Sequence, residues 1–440
     1  MRWIKWLLLG MLLLPALWFG LVLTHWLPRL TSEQSEALAL VDQVQSRRLG
    51  EHNAYPLLWL FKYAVPRDQL DAVMAEDLQR FAQYAVDAQP EQPFGSIAAE
   101  RYGELPEPTR AAAACFGRGG GSCLADVRAN LEAVRVELGA QGERLQRESW
   151  LSDYDHIAIA FPRSFSAPIT LYFGDGGVVR SAAAYAHLNG DSTAALEQLC
   201  MHTRSWRLLR QHTDLLVADV LGQSVISANA RLVAEILAED SQLDTLACLD
   251  SFAPLGDEEL DQCSAMVGEY QAQAQLMDAL EADSEAVTWI QRRMINSRHS
   301  LALMAQSKAY YCQAAHQQRI QQRTPEPAPP EHRCSLGGQL FNPVGCVLVA
   351  IAQPVYDIYY LRALDLDAQL KTLQAARWLR AHAADQTPAQ GLARLPAELR
   401  SPSHQLSLSH DGTDLQLQLL QPRGAEPWSI PISRPVADPN

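Results

Sequence analysis

The chain has 440 residues, of which 48% are hydrophobic and 20% are charged, and its formal net charge is −14 at pH 7. This acidity argues against binding to nucleic acid, which requires a basic surface, and against lying flat on anionic lipid. Beyond the first apolar segment, about 410 residues remain, which is more than one small core holds, so two or three subdomains are expected.

The first element is an apolar run without a charged residue at positions 6–23. A helix of about 20 apolar residues is long enough to cross a bilayer. Arg2 and Lys5 precede the run, whereas only Arg29 follows it closely. Because positive residues stay on the cytoplasmic side, the pattern predicts a cytoplasmic N-terminus and an extracytoplasmic remainder. In a bacterium this remainder is periplasmic.

A cleaved signal peptide is the competing interpretation of the same run. Signal peptides have a shorter apolar core and small residues at the cleavage site. Here positions 23–27 read Leu-Thr-His-Trp-Leu, which is bulky. The sequence therefore predicts that residues 1–30 form a short cytoplasmic stub and a retained inner-membrane anchor.

The chain contains eight cysteines, and all of them follow the anchor. They are Cys115, Cys123, Cys200, Cys248, Cys263, Cys312, Cys334 and Cys346. An even number in an oxidising compartment indicates disulfides. Cys115 with Cys123 and Cys334 with Cys346 each flank a short glycine-containing loop, so both are predicted as local pairs. The other four allow three pairings, and buried free thiols are the alternative for them.

No metal ion or cofactor is predicted. Zinc sites use close Cys-x2–4-Cys spacing, and neither cysteine loop has it. The glycines between Cys115 and Cys123 suggest a phosphate-binding loop, but the lysine that such a loop requires is missing. A turn closed by a disulfide is the better interpretation of this loop.

Residues 31–177 form the first predicted soluble region. Apolar residues at helical spacing predict helices over 35–48, 66–88 and 124–138. Residues 157–161 and 169–173 are short β-like runs, which are either two strands or extended connectors.

Between these two runs and the preceding helix lies a cluster of polar side chains, Asp153, Asp155 and His156. These residue types serve in acid–base and metal sites, so they are candidate catalytic residues, with Asp175 as a further carboxylate. A short cluster of this kind is also typical of a capped loop.

Residues 178–323 form a second region that is helical almost throughout. Within it, small and apolar residues precede Gly190, and a Gly-Asp-x3-Ala-Leu pattern follows. This stretch, 183–196, resembles one tetratricopeptide unit, in which two helices pack closely across a tight glycine turn. The resemblance is not repeated at the family's period, and an ordinary αα-hairpin is the alternative.

Residues 324–440 form the last region, which begins with a proline-rich boundary at 324–331. A helix is predicted over 356–383. Alternating leucines on both sides of Asp411-Gly412 predict a β-hairpin, and the segment beginning at Trp428 is a candidate edge strand because it contains Pro431. So small a sheet must pack against the preceding helices.

These elements predict a mainly α protein with one N-terminal transmembrane helix, an extracytoplasmic region of αα-hairpins and a small C-terminal β-hairpin. The sequence lacks the Gly-x-Ser-x-Gly, Ser-x-x-Lys, His-Glu-x-x-His and Walker motifs of common enzymes. The preferred hypothesis is a non-catalytic periplasmic scaffold that binds a protein partner, either an envelope component or a toxin. The alternative is a periplasmic hydrolase with its site near residues 153–175.

Overall fold

A computed structural model shows a mostly helical chain, 69% helical, with a three-stranded antiparallel sheet near the C-terminus. It describes residues 3, 13–14, 16–22, 24, 27–45, 49–87, 93–109, 115, 121–163, 167–168, 176–281, 294–325, 333–352, 356–383, 385–422 and 426–432. The mainly α class with a small C-terminal sheet is therefore confirmed. Half of the residues of the predicted anchor, 1–30, lie outside the described residues, and the described positions between 13 and 24 are helical.

Eighteen helices and three strands have bounds within the described residues. The helices are α1 Ser32–Gln45, α2 Tyr55–Trp59, α3 Leu70–Asp87, α4 Ala98–Arg101, α5 Cys123–Ala129, α6 Leu131–Ala140, α7 Gly142–Trp150, α8 Gly176–Leu188, α9 Ser192–Gln211, α10 Leu216–Glu239, α11 Asp257–Leu260, α12 Cys263–Glu281, α13 Ser297–Ala309, α14 Ala314–Gln322, α15 Leu336–Phe341, α16 Pro343–Ala352, α17 Asp357–His382 and α18 Pro388–Ala393. The strands are β1 Leu406–Leu408, β2 Asp414–Leu417 and β3 Trp428–Pro431.

The main hydrophobic core is built around α10. Its buried residues lie on every side of the helix, as expected for a helix that is surrounded by protein. It packs against α9, α17 and strand β3. At Gly222 a Cβ atom would lie 2.9 Å from the Arg210 side chain of α9, so the glycine permits the close approach of these two helices.

Helices α8 and α9 form the αα-hairpin that the sequence indicated around Gly190. Gly190 has a φ of +89°, a left-handed conformation that glycine adopts at little cost. The Asp191 side chain then accepts a hydrogen bond from the Ala194 backbone N–H and caps α9. The short turn and the small residues of α8 together allow the two helices to pack face to face.

The three strands have the order β1-β2-β3, and both pairs are antiparallel. Gly412 has a φ of +75° in the loop between β1 and β2, which agrees with the Asp-Gly signal. Leu415, Leu417, Trp428 and Ile430 form the buried face of the sheet. This face packs against α10 and α17, so the predicted dependence of the sheet on the preceding helices is met.

A second hydrophobic cluster joins α1, near the N-terminus, to helices from the second half of the chain. It consists of α1, α12, α13 and α16, with Val41, Val267, Leu303 and Val349 among its buried residues. The residues just after the N-terminal apolar run therefore pack beside α16. The main core contains residues from all three predicted soluble regions. The region boundaries at 177 and 323 remain predictions.

All eight cysteines are paired, and no free cysteine is present. The pairs are Cys115–Cys123, Cys200–Cys248, Cys263–Cys312 and Cys334–Cys346. The first and last are the local pairs that the sequence predicted. The two middle pairs are one of the three arrangements that the sequence left open.

One local prediction differs from the structure. The helix predicted over 124–138 is interrupted at Asn130, which ends α5 and precedes α6 in a non-helical conformation. Of the two interpretations offered for the run at 157–161, the structure shows the extended connector, because Ile157 makes only an isolated bridge to Thr213. The run at 169–173 lies outside the described residues, as does Asp175.

Among the described residues, one helical stretch, Pro343–His382, has the length and composition of a membrane span, and 33% of its most apolar window is buried. A core helix of a soluble protein meets the same criteria. The second half of the stretch is α17, whose Leu364, Leu370 and Leu373 lie in the main core. That half is therefore a core helix.

Candidate functional site

The predicted catalytic residues follow α7 in the chain. Asp155 is hydrogen-bonded to the loop at residues 50–53. Its carboxylate accepts hydrogen bonds from the backbone N–H groups of Glu51 and His52, each at 3.0 Å. One of its oxygens also lies 2.7 Å from His156 Nδ1. A Cβ atom at Gly50 would overlap this carboxylate, so the loop approaches Asp155 as closely as glycine allows.

The electrostatics of Asp155 follow from these contacts. Partial desolvation favours the neutral acid, but the hydrogen bonds from His156, Glu51 and His52 hold the pKa of Asp155 well below its usual range. The carboxylate is therefore ionised at neutral pH. It satisfies backbone donors of a loop, which is the capped-loop arrangement that the sequence offered as an alternative.

Asp153 points to a different partner. Its carboxylate forms an ion pair with Arg67, whose guanidinium lies 5.4 Å from the centre of the Trp150 ring. The structure thus brings Asp155 and His156 together and turns Asp153 away from them. A hydrolytic role for this segment remains a prediction, and the described geometry gives each of the two carboxylates a partner that fixes the local fold.

A buried polar cluster that the sequence did not indicate lies between α7, α8 and α9. It consists of Glu148, Arg180 and His202, each less than a tenth exposed. Arg180 donates two hydrogen bonds to the carbonyl oxygen of Cys115, at 3.0 and 3.1 Å. Burial lowers the pKa of Arg180 to about 10, and the negative charge of Glu148 opposes this shift.

The carboxylate oxygens of Glu148 are less well satisfied by hydrogen bonds than the guanidinium of Arg180. Neither carboxylate oxygen has a hydrogen-bond partner among the described residues, and His202 Nε2 lies 3.4 Å from the nearer one. His202 in turn contacts Trp206 Nε1 at 3.0 Å and Asn229 Nδ2 at 3.1 Å. This network joins four helices, α7, α8, α9 and α10, to the Cys115–Cys123 loop, and its burial is typical of a structural polar core.

A groove of about 260 Å³ opens between α5, α10 and strand β3. Its lining includes Arg128, Arg231, Glu235, Glu239, Asp414 and Ser429. The groove combines charged side chains with an outer strand of the sheet. Pockets in which polar groups converge are the usual place for ligands and partners.

Two of the acidic residues in the groove already have hydrogen-bond or ion-pair partners. Glu235 accepts hydrogen bonds from Ser122 Oγ and from the Leu124 backbone N–H, both at 2.9 Å, and burial raises its pKa. Glu239 pairs with Arg128 at 2.6 Å at the rim. Partial desolvation favours a higher pKa for Glu239, but the hydrogen bond from Arg128 outweighs it and lowers the pKa. These contacts fix the wall that α5 and α10 provide.

Arg231 is a groove residue with a buried donor that makes no hydrogen bond to the described residues. Its Nε atom is buried and has no partner among the described residues, and its guanidinium lies 5.8 Å from the centre of the Trp428 ring. Burial lowers the pKa of Arg231, whereas Glu235 and Asp414 oppose this shift. Burial and the nearby Asp411 raise the pKa of Asp414. The groove therefore presents a desolvated cation beside a strand.

One described group of side chains has the spacing of a metal site. His299, Cys334 and Cys346 place their ligand atoms within 4.8 Å of one another. Zinc binds the cysteine thiolate, and both sulfurs are joined in a disulfide here. This group therefore does not have the donors of a zinc site.

Comparison with known proteins gives no relative from which a function could be transferred. No protein-family model, curated protein or solved structure matches the chain. Any role of the groove therefore has to follow from the chemistry of the residues that line it.

The groove was not predictable from the sequence. Its arginines and acids come from α5, α10 and β2, and each appears in its own segment as an ordinary charged residue on a solvated face. Only the packing of the sheet onto α10 brings them together.

Proposed function

We propose that the protein is a single-pass inner-membrane protein whose extracytoplasmic helical body is a non-catalytic scaffold that binds a protein partner. The uncharged run at 6–23 supports the anchor. The pairing of all eight cysteines supports an oxidising compartment, in which disulfides persist. The tetratricopeptide-like α8–α9 hairpin is an element that often serves in protein binding surfaces.

The observation that carries the binding role is the groove beside β3. An outer strand offers backbone groups to an extended peptide, and a desolvated guanidinium recognises a carboxylate. The guanidinium of Arg231 lines the groove next to the wall formed by Ser429–Pro431. The partner is therefore an extended protein segment that carries an acidic group, from an envelope component or a toxin.

Photocrosslinking in intact cells tests this proposal. A benzophenone amino acid at Ser429 lies in the groove, and one at Met201 lies on an exposed part of α9 outside it. We expect a protein adduct of defined mass from position 429 and not from 201. Arg231→Glu removes the adduct, whereas Arg135→Glu keeps it, because Arg135 pairs with Glu132 on α6 outside the groove.

Two results would overturn the binding role. One is an equal yield of adducts from the two positions, and the other is an adduct from Ser429 that Arg231→Glu does not affect. The compartment has its own test, since alkaline phosphatase fused after the last residue is active only outside the cytoplasm. An inactive C-terminal fusion would contradict the topology whatever the crosslinks show.

A further inference from the structure

The α15–α16 hairpin carries an apolar face that the protein body leaves uncovered. Leu336 is 80% exposed, Leu340 55%, Val347 59% and Ile351 74%. Residues 334–356 contain no charged side chain. Of the eight other exposed large apolar residues in the described chain, four belong to the N-terminal segment. They are Trp3, Leu13, Leu14 and Leu17.

The opposite face of this hairpin is fixed to the body. Asn342 is fully buried, accepts a hydrogen bond from the Asn296 backbone N–H at 2.7 Å and donates one to Ser300 Oγ at 2.9 Å. Gly345 packs against these groups so closely that a Cβ atom would overlap them. The Cys334–Cys346 disulfide closes the hairpin. The apolar face is thus held out in a defined orientation.

The hairpin also lies against the N-terminal apolar helix. Trp18 Nε1 donates a hydrogen bond to the Leu340 carbonyl oxygen at 2.8 Å. Asn296, at the start of α13, donates to the Leu27 carbonyl oxygen at 3.2 Å. Trp18 precedes the end of the uncharged run at Leu23 by five residues, so it lies ~7.5 Å below that end, at 1.5 Å per residue.

We propose that the α15–α16 hairpin is a second membrane contact, whose apolar face lies in the outer leaflet of the inner membrane beside the anchor. Its depth, read from Trp18, matches the ~5–10 Å at which interfacial helices are buried. Helix α16 has 10 residues and is ~15 Å long, which is half of the ~30 Å needed to cross the hydrocarbon. Because α17, which follows α16, belongs to the main core, we infer that the hairpin lies in the interface and does not span.

The bilayer is the occupant that the chemistry of this face selects. The exposed side chains are aliphatic, and the hairpin has no lysine or arginine for anionic headgroups. Binding is thus expected to a zwitterionic phosphatidylcholine surface and to depend little on salt. Because the hairpin lies against the N-terminal apolar run, the lipid around that run also reaches the exposed face of the hairpin. This inference rests on the proposed membrane anchor.

Photocrosslinking to lipid tests the inference with the full chain reconstituted in phosphatidylcholine nanodiscs. A diazirine amino acid replaces Leu336 or Ile351 in the hairpin, Leu17 in the N-terminal run, or Val136 as the matched exposed control. Mass spectrometry then measures the lipid adducts. We expect about fivefold more lipid adduct from 336 and 351 than from 136, and a high yield from 17.

The outcomes separate the two proposals. Lipid adducts from 17 with none above the control from 336 and 351 would overturn the hairpin contact and leave the anchor standing. No adduct from 17 would overturn the anchor itself. Adducts from 336 joined to a second copy of the chain, or to another protein, would show that protein covers this face and would also overturn the inference.

A charge variant gives an independent measurement. Leu336→Asp combined with Ile351→Asp changes only exposed side chains, so folding is preserved. Lipid adducts from a diazirine at Val347 are expected to fall about threefold or more, because a charged face leaves the hydrocarbon boundary. Val136→Asp is the control and leaves the yield from Val347 unchanged. An unchanged yield in the double variant would overturn the inference.

Discussion

Lys308 is fully buried on α13, and we predict that Lys308→Met changes how the stability of the protein depends on pH. Its ammonium lies 3.5 Å from the centre of the Tyr356 ring and 3.3 Å from Ser307 Oγ. Burial lowers the pKa of Lys308 to about 7, although Glu269, which faces it from α12, opposes this shift. The same desolvation raises the pKa of Glu269.

The direction of the effect follows from proton uptake. The unfolded chain keeps this lysine protonated up to its ordinary pKa of 10.5, whereas the folded chain protonates it only below about 7. Unfolding therefore takes up a proton between these values, and the unfolding free energy rises with pH across that window. At ~1.4 kcal/mol per pKa unit, the rise between pH 7 and pH 9.5 amounts to about 3 kcal/mol.

Lys308→Met removes the desolvated charge and also the cation–π contact with Tyr356, which is worth about 1 kcal/mol. The variant is thus expected to be about 3 kcal/mol more stable than the native chain at pH 7 and about equal to it at pH 9.5. Urea unfolding in detergent micelles, with disulfides intact and tryptophan fluorescence as the signal, measures this. Lys62→Met, at an exposed lysine, is the control and keeps the native slope. If the native and Lys308→Met stabilities changed in parallel with pH, the reasoning would be wrong.

Three further perturbations have defined outcomes. Burial lowers the pKa of His316 to about 4, so the unfolding free energy falls by about 3 kcal/mol between pH 6.5 and pH 4, and acid denaturation of His316→Leu lacks this loss. Gly345→Ala costs about 1–3 kcal/mol in thermal unfolding because its methyl group overlaps a buried amide, whereas Gly337→Ala has room and leaves the midpoint unchanged. Asp155→Ala lowers the denaturation midpoint by the equivalent of about 1–2 kcal/mol through lost loop caps, and Asp153→Ala, which breaks only an exposed ion pair, costs less than about 1 kcal/mol.

Elements with strong local signals were predicted closely. The helix expected over 356–383 is α17, Asp357–His382, because its leucines repeat at helical spacing along the whole segment. The Asp411-Gly412 pair predicted the β-hairpin because the left-handed conformation of Gly412 is a local property. The break at Asn130 was missed, since the helical periodicity continues across this residue although its backbone leaves the helical conformation.

The site was harder to predict, for a physical reason. Asp153, Asp155 and His156 stand out because they are neighbours in the sequence, yet their partners, such as Arg67, are supplied by distant segments. The groove residue Arg231 is one charged residue in a long helix until β3 packs beside it. The two middle disulfides were equally undetermined, because their pairing depends on which helices are adjacent.

The order of the disulfides has a consequence for biogenesis. Each bridge joins a cysteine to the next one along the chain, so no bridge encloses or crosses another. If the region after the proposed anchor crosses the membrane in the order of its sequence, each pair can be oxidised before the following cysteine emerges. A dithiol oxidase acting on successive cysteines would suffice to give the native connectivity, and a disulfide isomerase would have no wrong pairs to reshuffle.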